Sequence, residues 1–387
     1  MSAGSYLDRY RLQLDELAAK GRLRTLQGRS GRDFTSNDYL ALSDSERLRA
    51  AVRSALDRGT GVGAGGSRLL RGNAPEHESL ESLAAMLFGS ERALYFGSGY
   101  AANFAVLSTL PQAEDLLLLD SLAHASANEG ARAGRARSLR VAHNDTAAFE
   151  HELAAWRAQG ATGRAWIAVE SLYSMDGDFA PLQELMDLAD RYEAILFIDE
   201  AHATGVYGTD GRGLAAAFEG RANVLVLHTC SKALGGSGAL VCGPGILCDF
   251  LINRCRPFIY ATAPSPLMAV AAQAALQIVR DEPERRTELA RRIDHAHRMA
   301  DRLGIPTRGR SQIVPVIVGE DRAAVELAAE LGRQGFDVRA IRPPTVPEGT
   351  ARLRIAITLH ADLASIEHLF SMLHDAWPGT PPQDLHP

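Results

Sequence analysis

Ile195-Leu-Phe-Ile-Asp199-Glu-Ala-His202 reads as four apolar residues, a carboxylate and, three positions later, a histidine. An apolar run of this length, closed by polar residues, is the pattern of a strand buried on both faces, and such strands belong to parallel sheets covered by helices. The same reading applies to Ala93-Leu-Tyr-Phe96, Leu116-Leu-Leu-Leu119, Trp166-Ile-Ala-Val169, Val224-Leu-Val-Leu227 and Ala239-Leu-Val241, which alternate with helical patterns between Glu46 and Val279. The expected fold is therefore α/β with a large, mostly parallel sheet. Its ligand groups should gather outside the carboxyl ends of the strands.

Working outward, Leu7, Tyr10, Leu14 and Leu17 recur at spacings of three and four and predict an amphipathic helix ending near Gly21 and packing on the main body. Beyond Asp281-Glu-Pro283 the pattern predicts a charged helix from Glu284 to Leu303, a strand from Ile313 to Val318 and a helix from Ala323 to Gln334. Strands from Val338 to Arg342 and from Leu353 to Thr358 and a last helix follow. The expected organisation is an N-terminal helix and arm over residues 1–45, a large domain over 46–280, a smaller α+β domain over 281–377 and a disordered proline-rich tail over 378–387.

With 387 residues, 46% of them hydrophobic and 23% charged, the chain has the composition of an ordinary globular protein. The 41 basic residues against 47 acidic ones give a net charge of −6 without a dense basic run, which argues against nucleic acid as a partner. The charged N-terminus lacks the apolar centre of a signal peptide, and no stretch is long and apolar enough to span a membrane. The four cysteines show neither metal-ligand spacing nor a disulfide framework, so the cytoplasm fits best and no metal is expected. Only Lys20 and Lys232 are lysine; every other basic residue is arginine. Arginine forms no imine at neutral pH, so any lysine chemistry falls to one of those two.

Several short motifs lose their usual meaning in context. Gly61-Val-Gly-Ala-Gly-Gly66 matches a dinucleotide fingerprint, but a helical pattern precedes it where a strand is needed. Asp199-Glu-Ala-His202 spells a helicase box in a chain that has no Gly-Lys for a phosphate loop. His77-Glu and His151-Glu lack the second histidine of a zinc protease, and Gly235-Gly-Ser-Gly-Ala239 only approximates a nucleophile elbow.

What remains lies at strand ends: Gly97-Ser-Gly-Tyr100, Asp199 with His202, and Thr229-Cys-Ser-Lys232. A buried strand-end carboxylate needs a cation, and a lysine after a neighbouring strand can form an imine with an aldehyde cofactor. Pyridoxal phosphate uses both: an acid to keep its ring nitrogen protonated, a lysine for its aldehyde and helix N-terminal amides for its phosphate. Gly97 to Tyr100, opening a helix, suits the phosphate. His124, after another strand, serves equally well as a residue stacked on the ring or as a hydrogen-bonded structural residue.

These residues and their surroundings resemble the α-oxoamine synthases, pyridoxal-phosphate enzymes of transferase fold type I that join an amino acid to an acyl thioester with loss of carbon dioxide. The resemblance runs through Ser36-Asn-Asp-Tyr-Leu40, Gly65-Gly-Ser-Arg68, Gly97-Ser-Gly-Tyr-Ala-Ala-Asn103, Asp120 to Ser126, Ser174-Met-Asp-Gly-Asp178, Asp199 to Gly205 and Thr229 to Gly235. It implies that Lys232 binds the cofactor aldehyde, Asp199 pairs the ring nitrogen, His124 stacks on the ring and His202 contacts its phenolic oxygen. Gly99, Tyr100, Ser174 and Thr229 would hold the cofactor. Thr262 would reach the phosphate across the subunit boundary of a homodimer with a shared site. Arg354, with Asn37, would take the amino-acid carboxylate, while Arg24 and Thr345 match positions that meet substrate. Ile341 to Pro347 and Gly349 to Arg354 most resemble the member that condenses L-alanine with a pimeloyl thioester, of CoA or of acyl carrier protein, in biotin biosynthesis. The Pro343-Pro344 pair is expected to hold Thr345 in an extended segment. A sibling synthase using glycine and a short acyl-CoA (2-amino-3-ketobutyrate or 5-aminolevulinate type), or a noncatalytic pyridoxal-phosphate-binding regulator, are the alternatives.

Overall fold

The six apolar runs and one further segment, Arg137–Val141, form the strands of a seven-stranded sheet: β1 (Arg92–Phe96), β2 (Leu116–Asp120), β3 (Arg137–Val141), β4 (Ala165–Glu170), β5 (Ile195–Asp199), β6 (Val224–Thr229) and β7 (Ala239–Gly243). The computed structural model describes residues 6–376, so the tail expected over 378–387 lies outside the described residues. The strand order is β1-β7-β6-β5-β4-β2-β3, with β7 antiparallel to both neighbours and every other pair parallel. Successive side chains in one run feed opposite cores. Leu117, Leu119, Trp166 and Ala168 join one buried cluster, whereas Leu116, Leu118, Ile167 and Val169 join the other. Burial on both faces is why these strands read as continuous apolar runs. Strand β3 was not anticipated: it is an edge strand, Arg-Ser-Leu-Arg-Val, in which only Val141 is buried.

The described chain divides into two compact units, a larger one of residues 37–174 and 178–289 and a smaller one of residues 6–36, 175–177 and 290–376. The larger unit holds the sheet, flanked by helices that include Gly99–Thr109, Ala125–Ala133 and Pro266–Asp281. The smaller unit is built on three antiparallel strands, β8 (Ile313–Gly319), β9 (Arg339–Ile341) and β10 (Ala351–Ala356), with β10 in the middle. Helices Asp321–Arg333 and Leu363–Ala376 belong to the same unit, and Arg32–Asp33 pairs in parallel with Phe336–Asp337.

Two local expectations are corrected. The N-terminal helix forms over Asp8–Ala19, but none of its residues is buried, so its apolar stripe does not pack on the body of its own chain. The Pro343–Pro344 bond is cis, and Thr345 N–H donates to Arg342 C=O at 3.1 Å, so Thr345 closes a turn where an extended segment was expected. Among the described residues no helix is long and apolar enough to cross a membrane.

Candidate active site

Parallel register brings Glu170, Asp199 and Leu227 side by side at the carboxyl ends of β4, β5 and β6. Asp199 is buried. Its Oδ2 accepts from Asn103 Nδ2 at 2.6 Å and its Oδ1 from Ala201 N–H at 2.9 Å. Three residues on, His202 lies between two partners, with Nε2 at 2.7 Å from Lys232 Nζ and Nδ1 at 2.7 Å from Tyr39 OH. The Tyr39 hydroxyl in turn donates to Asn37 Oδ1 at 3.0 Å. The sequence thus places its one strand-end lysine beside the histidine of the neighbouring strand.

Across this group, β1 runs into the helix Gly99–Thr109. Ser98 Oγ caps the Ala101 N–H at 3.1 Å, which leaves the N–H groups of Gly99 and Tyr100 outside the helical ladder. A Cβ on Gly99 would lie 3.4 Å from Thr229 Oγ1, so glycine there keeps a small space between the helix start and the Thr229 hydroxyl. Thr229 is buried and hydrogen-bonds to Ser231 Oγ at 3.1 Å. His124 stands at the N-terminus of the helix Ala125–Ala133, with the Tyr100 ring edge-on at 6.4 Å between centroids. Desolvation lowers its imidazole below the ordinary histidine range, Asp199 pulling the other way and Lys232 adding to the fall. Ser174 is buried, and its N–H donates to Glu170 Oε2 at 3.1 Å.

Glu170 was not anticipated as part of the site. It is buried beside Asp199, its Oε1 has no hydrogen-bond partner, and burial followed by the charge of Asp199 raises its carboxyl to about 8, against a downward pull from Lys232. Tyr39, Asn103 and Ser126 were also missed as individual residues, although each stands inside a motif that carried the resemblance.

Lys232, His202, Asp199, His124, Tyr100, Gly99, Thr229, Ser174 and Asn37 all belong to the larger unit. Thr262 belongs to it too, but on an exposed segment bridged to Ser67. Arg24, Thr345 and Arg354 belong to the smaller unit. There Arg354 is buried on β10, Thr345 is exposed, and Arg24 Nη2 donates to Pro343 C=O at 3.4 Å. Arg352, two residues before Arg354, is committed elsewhere: its Nη1 lies 2.8 Å from the buried Asp176 carboxylate.

The larger unit's donor set fits pyridoxal phosphate. A lysine amine, a buried carboxylate, a pair of free helix N-terminal N–H groups and a hydroxyl beside a glycine-made space are the groups that cofactor requires.

The sequence matches the class I and II aminotransferase family over residues 31–372. It is 41% identical to the 8-amino-7-oxononanoate synthase of Anaeromyxobacter dehalogenans, over 97% of both chains. The fold is similar to serine palmitoyltransferase from S. paucimobilis with bound PLP and myriocin, with a TM-score of 0.87 and 26% identity over 97% of this chain and 98% of that one. It is also similar to 8-amino-7-oxononanoate synthase from Francisella tularensis, with a TM-score of 0.75 and 27% identity over 89% and 97% of the two chains.

Proposed function

The chain belongs to the class I and II aminotransferase family, and we propose that within it the chain is a pyridoxal-phosphate enzyme that condenses L-alanine with a pimeloyl thioester to give 8-amino-7-oxononanoate, carbon dioxide and the free thiol, in biotin biosynthesis. The observation that carries this reading is the pairing of Lys232 with His202 beside buried Asp199, in a chain similar to such synthases over almost its whole length. When bound, pyridoxal phosphate supplies an aldehyde for the amino group of alanine and an electron sink for the carbon next to it.

The residues divide the work. Lys232 would hold the cofactor through its aldehyde, and its amine would be the base that takes the proton from the alanine α-carbon and the acid that returns one to it. Asp199 would keep a negative charge at the cofactor's ring nitrogen. His124 would cover the cofactor ring, His202 would contact its phenolic oxygen, and Ser174 would help to hold the cofactor. The Gly99 and Tyr100 N–H groups with Thr229 take the phosphate, completed by Thr262 of a second copy. Arg354, assisted by Asn37, would take the alanine carboxylate, while Arg24 and Thr345 would meet the acyl donor. The partners are thus alanine, a pimeloyl thioester of CoA or carrier protein and a second copy of the chain, acting in the cytoplasm.

Competing pimeloyl, succinyl, acetyl and palmitoyl thioesters, with alanine, glycine and serine in turn, tests the reading by carbon dioxide release. The expected outcome is preference for alanine with the pimeloyl thioester. Preference for glycine with a short chain, or for serine with palmitoyl, moves the chain to a sibling activity, and no release with any pair makes it a noncatalytic binder.

A further inference from the structure

A continuous chain of hydrogen bonds runs from Asp199 to His124, and its polarity is fixed at one end by chemistry. A carboxylate only accepts, so Asp199 Oδ2 takes one hydrogen of Asn103 Nδ2, at 2.6 Å. The other amide hydrogen goes to Ser126 Oγ at 3.0 Å. With its oxygen accepting from Asn103, Ser126 has its own hydroxyl hydrogen left for His124 Nδ1, at 2.7 Å. The Ser126 backbone N–H, which can only donate, reaches the same Nδ1 at 3.2 Å. A ring nitrogen that receives two donors carries no proton of its own.

We infer that Asn103 and Ser126 are positioning residues through which Asp199 holds His124 as the neutral tautomer with its proton on Nε2, so that the ring offers substrate a hydrogen-bond donor. The inference rests on the reading above in placing Asp199 and His124 at the cofactor. Its chemical sense follows from the reaction. An imidazole with a free basic nitrogen would compete with Lys232 for the α-proton, whereas an N–H donor can only hold or polarise a substrate oxygen. One carboxylate then serves two purposes, at the ring nitrogen directly and at the covering histidine through two side chains. The other groups facing His124 are Lys232 and Tyr100, and the lowered imidazole pKa agrees with a ring kept neutral.

The test reads the ring nitrogens of His124 by nitrogen-15 NMR in both cofactor-free protein and holoenzyme, with His124→Asn identifying the signal. In the cofactor-free protein the wild-type ring should show Nε2 protonated and Nδ1 bare at neutral pH. Ser126→Ala removes one donor to Nδ1. It should mix the tautomers and raise the imidazole pKa by roughly half a pH unit. Ser126→Thr, which keeps the hydroxyl, should restore the wild-type pattern. Asn103→Ala should shift the ring in the same direction, and the double variant should go no further than Ser126→Ala alone. A wild-type ring protonated on Nδ1, or a Ser126→Ala ring unchanged in tautomer and pKa, overturns the inference. Ser126→Ala deletes a single oxygen and carries the test by itself if Asn103→Ala does not fold. Failure of the functional reading has a different signature: cofactor absorption in the holoenzyme indifferent to His124→Asn, with the NMR result intact.

Discussion

Asp199 and Arg354 allow the functional reading to be tested one side chain at a time. Asp199→Asn keeps the hydrogen-bonding shape but removes the charge facing the ring nitrogen, so the cofactor should remain bound while turnover falls. A thousandfold fall would correspond to about 4 kcal/mol, at about 1.36 kcal/mol per tenfold; a variant with wild-type turnover would remove Asp199 from the reaction. Arg354 and Arg352 lie two apart on β10. Arg352 is tied to the buried Asp176 carboxylate, with Arg308 also on that carboxylate at 3.3 Å. On the proposed function, Arg354→Lys should raise the alanine concentration needed for half-maximal spectral change, because an ammonium lacks the planar two-pronged grip on a carboxylate. Arg352→Ala should instead lower stability, on the order of 3 kcal/mol, because it leaves Asp176 buried with a weaker partner. Alanine titration and urea unfolding of both variants separate the roles; equal alanine affinity in wild type and Arg354→Lys would move the carboxylate contact elsewhere.

At the scale of elements, the same alternation that made the sheet legible also explains the Asp-Glu-Ala-His motif. Asp199 ends β5 on the side of the site, and Glu200 next to it turns to the other side. Its Oε2 accepts from Leu214 N–H at 3.0 Å and its Oε1 from Ala215 N–H at 2.6 Å. The buried carboxyl thus caps the short 3-10 turn Leu214–Ala217. Gly213, at φ +105°, must be glycine here, since a Cβ would fall 2.2 Å from Glu200 Oε2. Glu200→Ala should destabilise the protein by about 1 to 3 kcal/mol through two orphaned N–H groups, read as a lower urea midpoint with an unchanged slope. Strands β1, β2, β4, β5, β6 and β7 were legible because burial on both faces writes an apolar run into the sequence. Strand β3 was not, because an edge strand with exposed Arg137, Ser138 and Arg140 has no such run. At the site, Lys232, Asp199 and His202 were legible from their places after strands. Glu170 closes the Trp166–Val169 run just as Asp199 closes its own, a signal that was there and not read, whereas Asn103 and Ser126 act through hydrogen bonds between separate elements, for which spacing along the chain has no signal. The helix Asp8–Ala19 shows the converse: periodicity gave its existence, but not what its apolar stripe meets.

For the molecule as a whole, the buried titratable groups set how stability varies with pH in the cofactor-free protein. Burial pushes His143 down, but its hydrogen bonds to Asp120 at 2.8 Å and Asp178 at 2.7 Å outweigh that and raise it to about 10. Its folded value exceeds the unfolded one of about 6.5. The stabilisation is therefore fully present below about pH 6.5 and is lost as pH rises through 10. Glu170 and Glu200, both raised chiefly by burial to about 8, act in the same direction. Each keeps its proton in the folded state across a window where the unfolded carboxyl, at about 4.3, has lost it, so stability falls as pH climbs from about 4.3 to 8. Opposing them, burial lowers His77 and His297, which favours unfolding as pH drops below about 6.5. The net charge of −6 adds repulsion on the alkaline side. The thermal midpoint should therefore peak on the acidic side of neutrality and decline steadily toward pH 10. His143→Gln keeps a hydrogen-bonding side chain between the two carboxylates without a charge. It should lower the midpoint at pH 6 and flatten the decline between pH 7 and 10, because the wild-type and variant folded states no longer differ in bound protons once His143 has titrated. Midpoints measured from pH 5 to 10 for both proteins decide it: parallel curves across the alkaline range would mean that the Asp120–His143–Asp178 group does not hold its proton in the folded state.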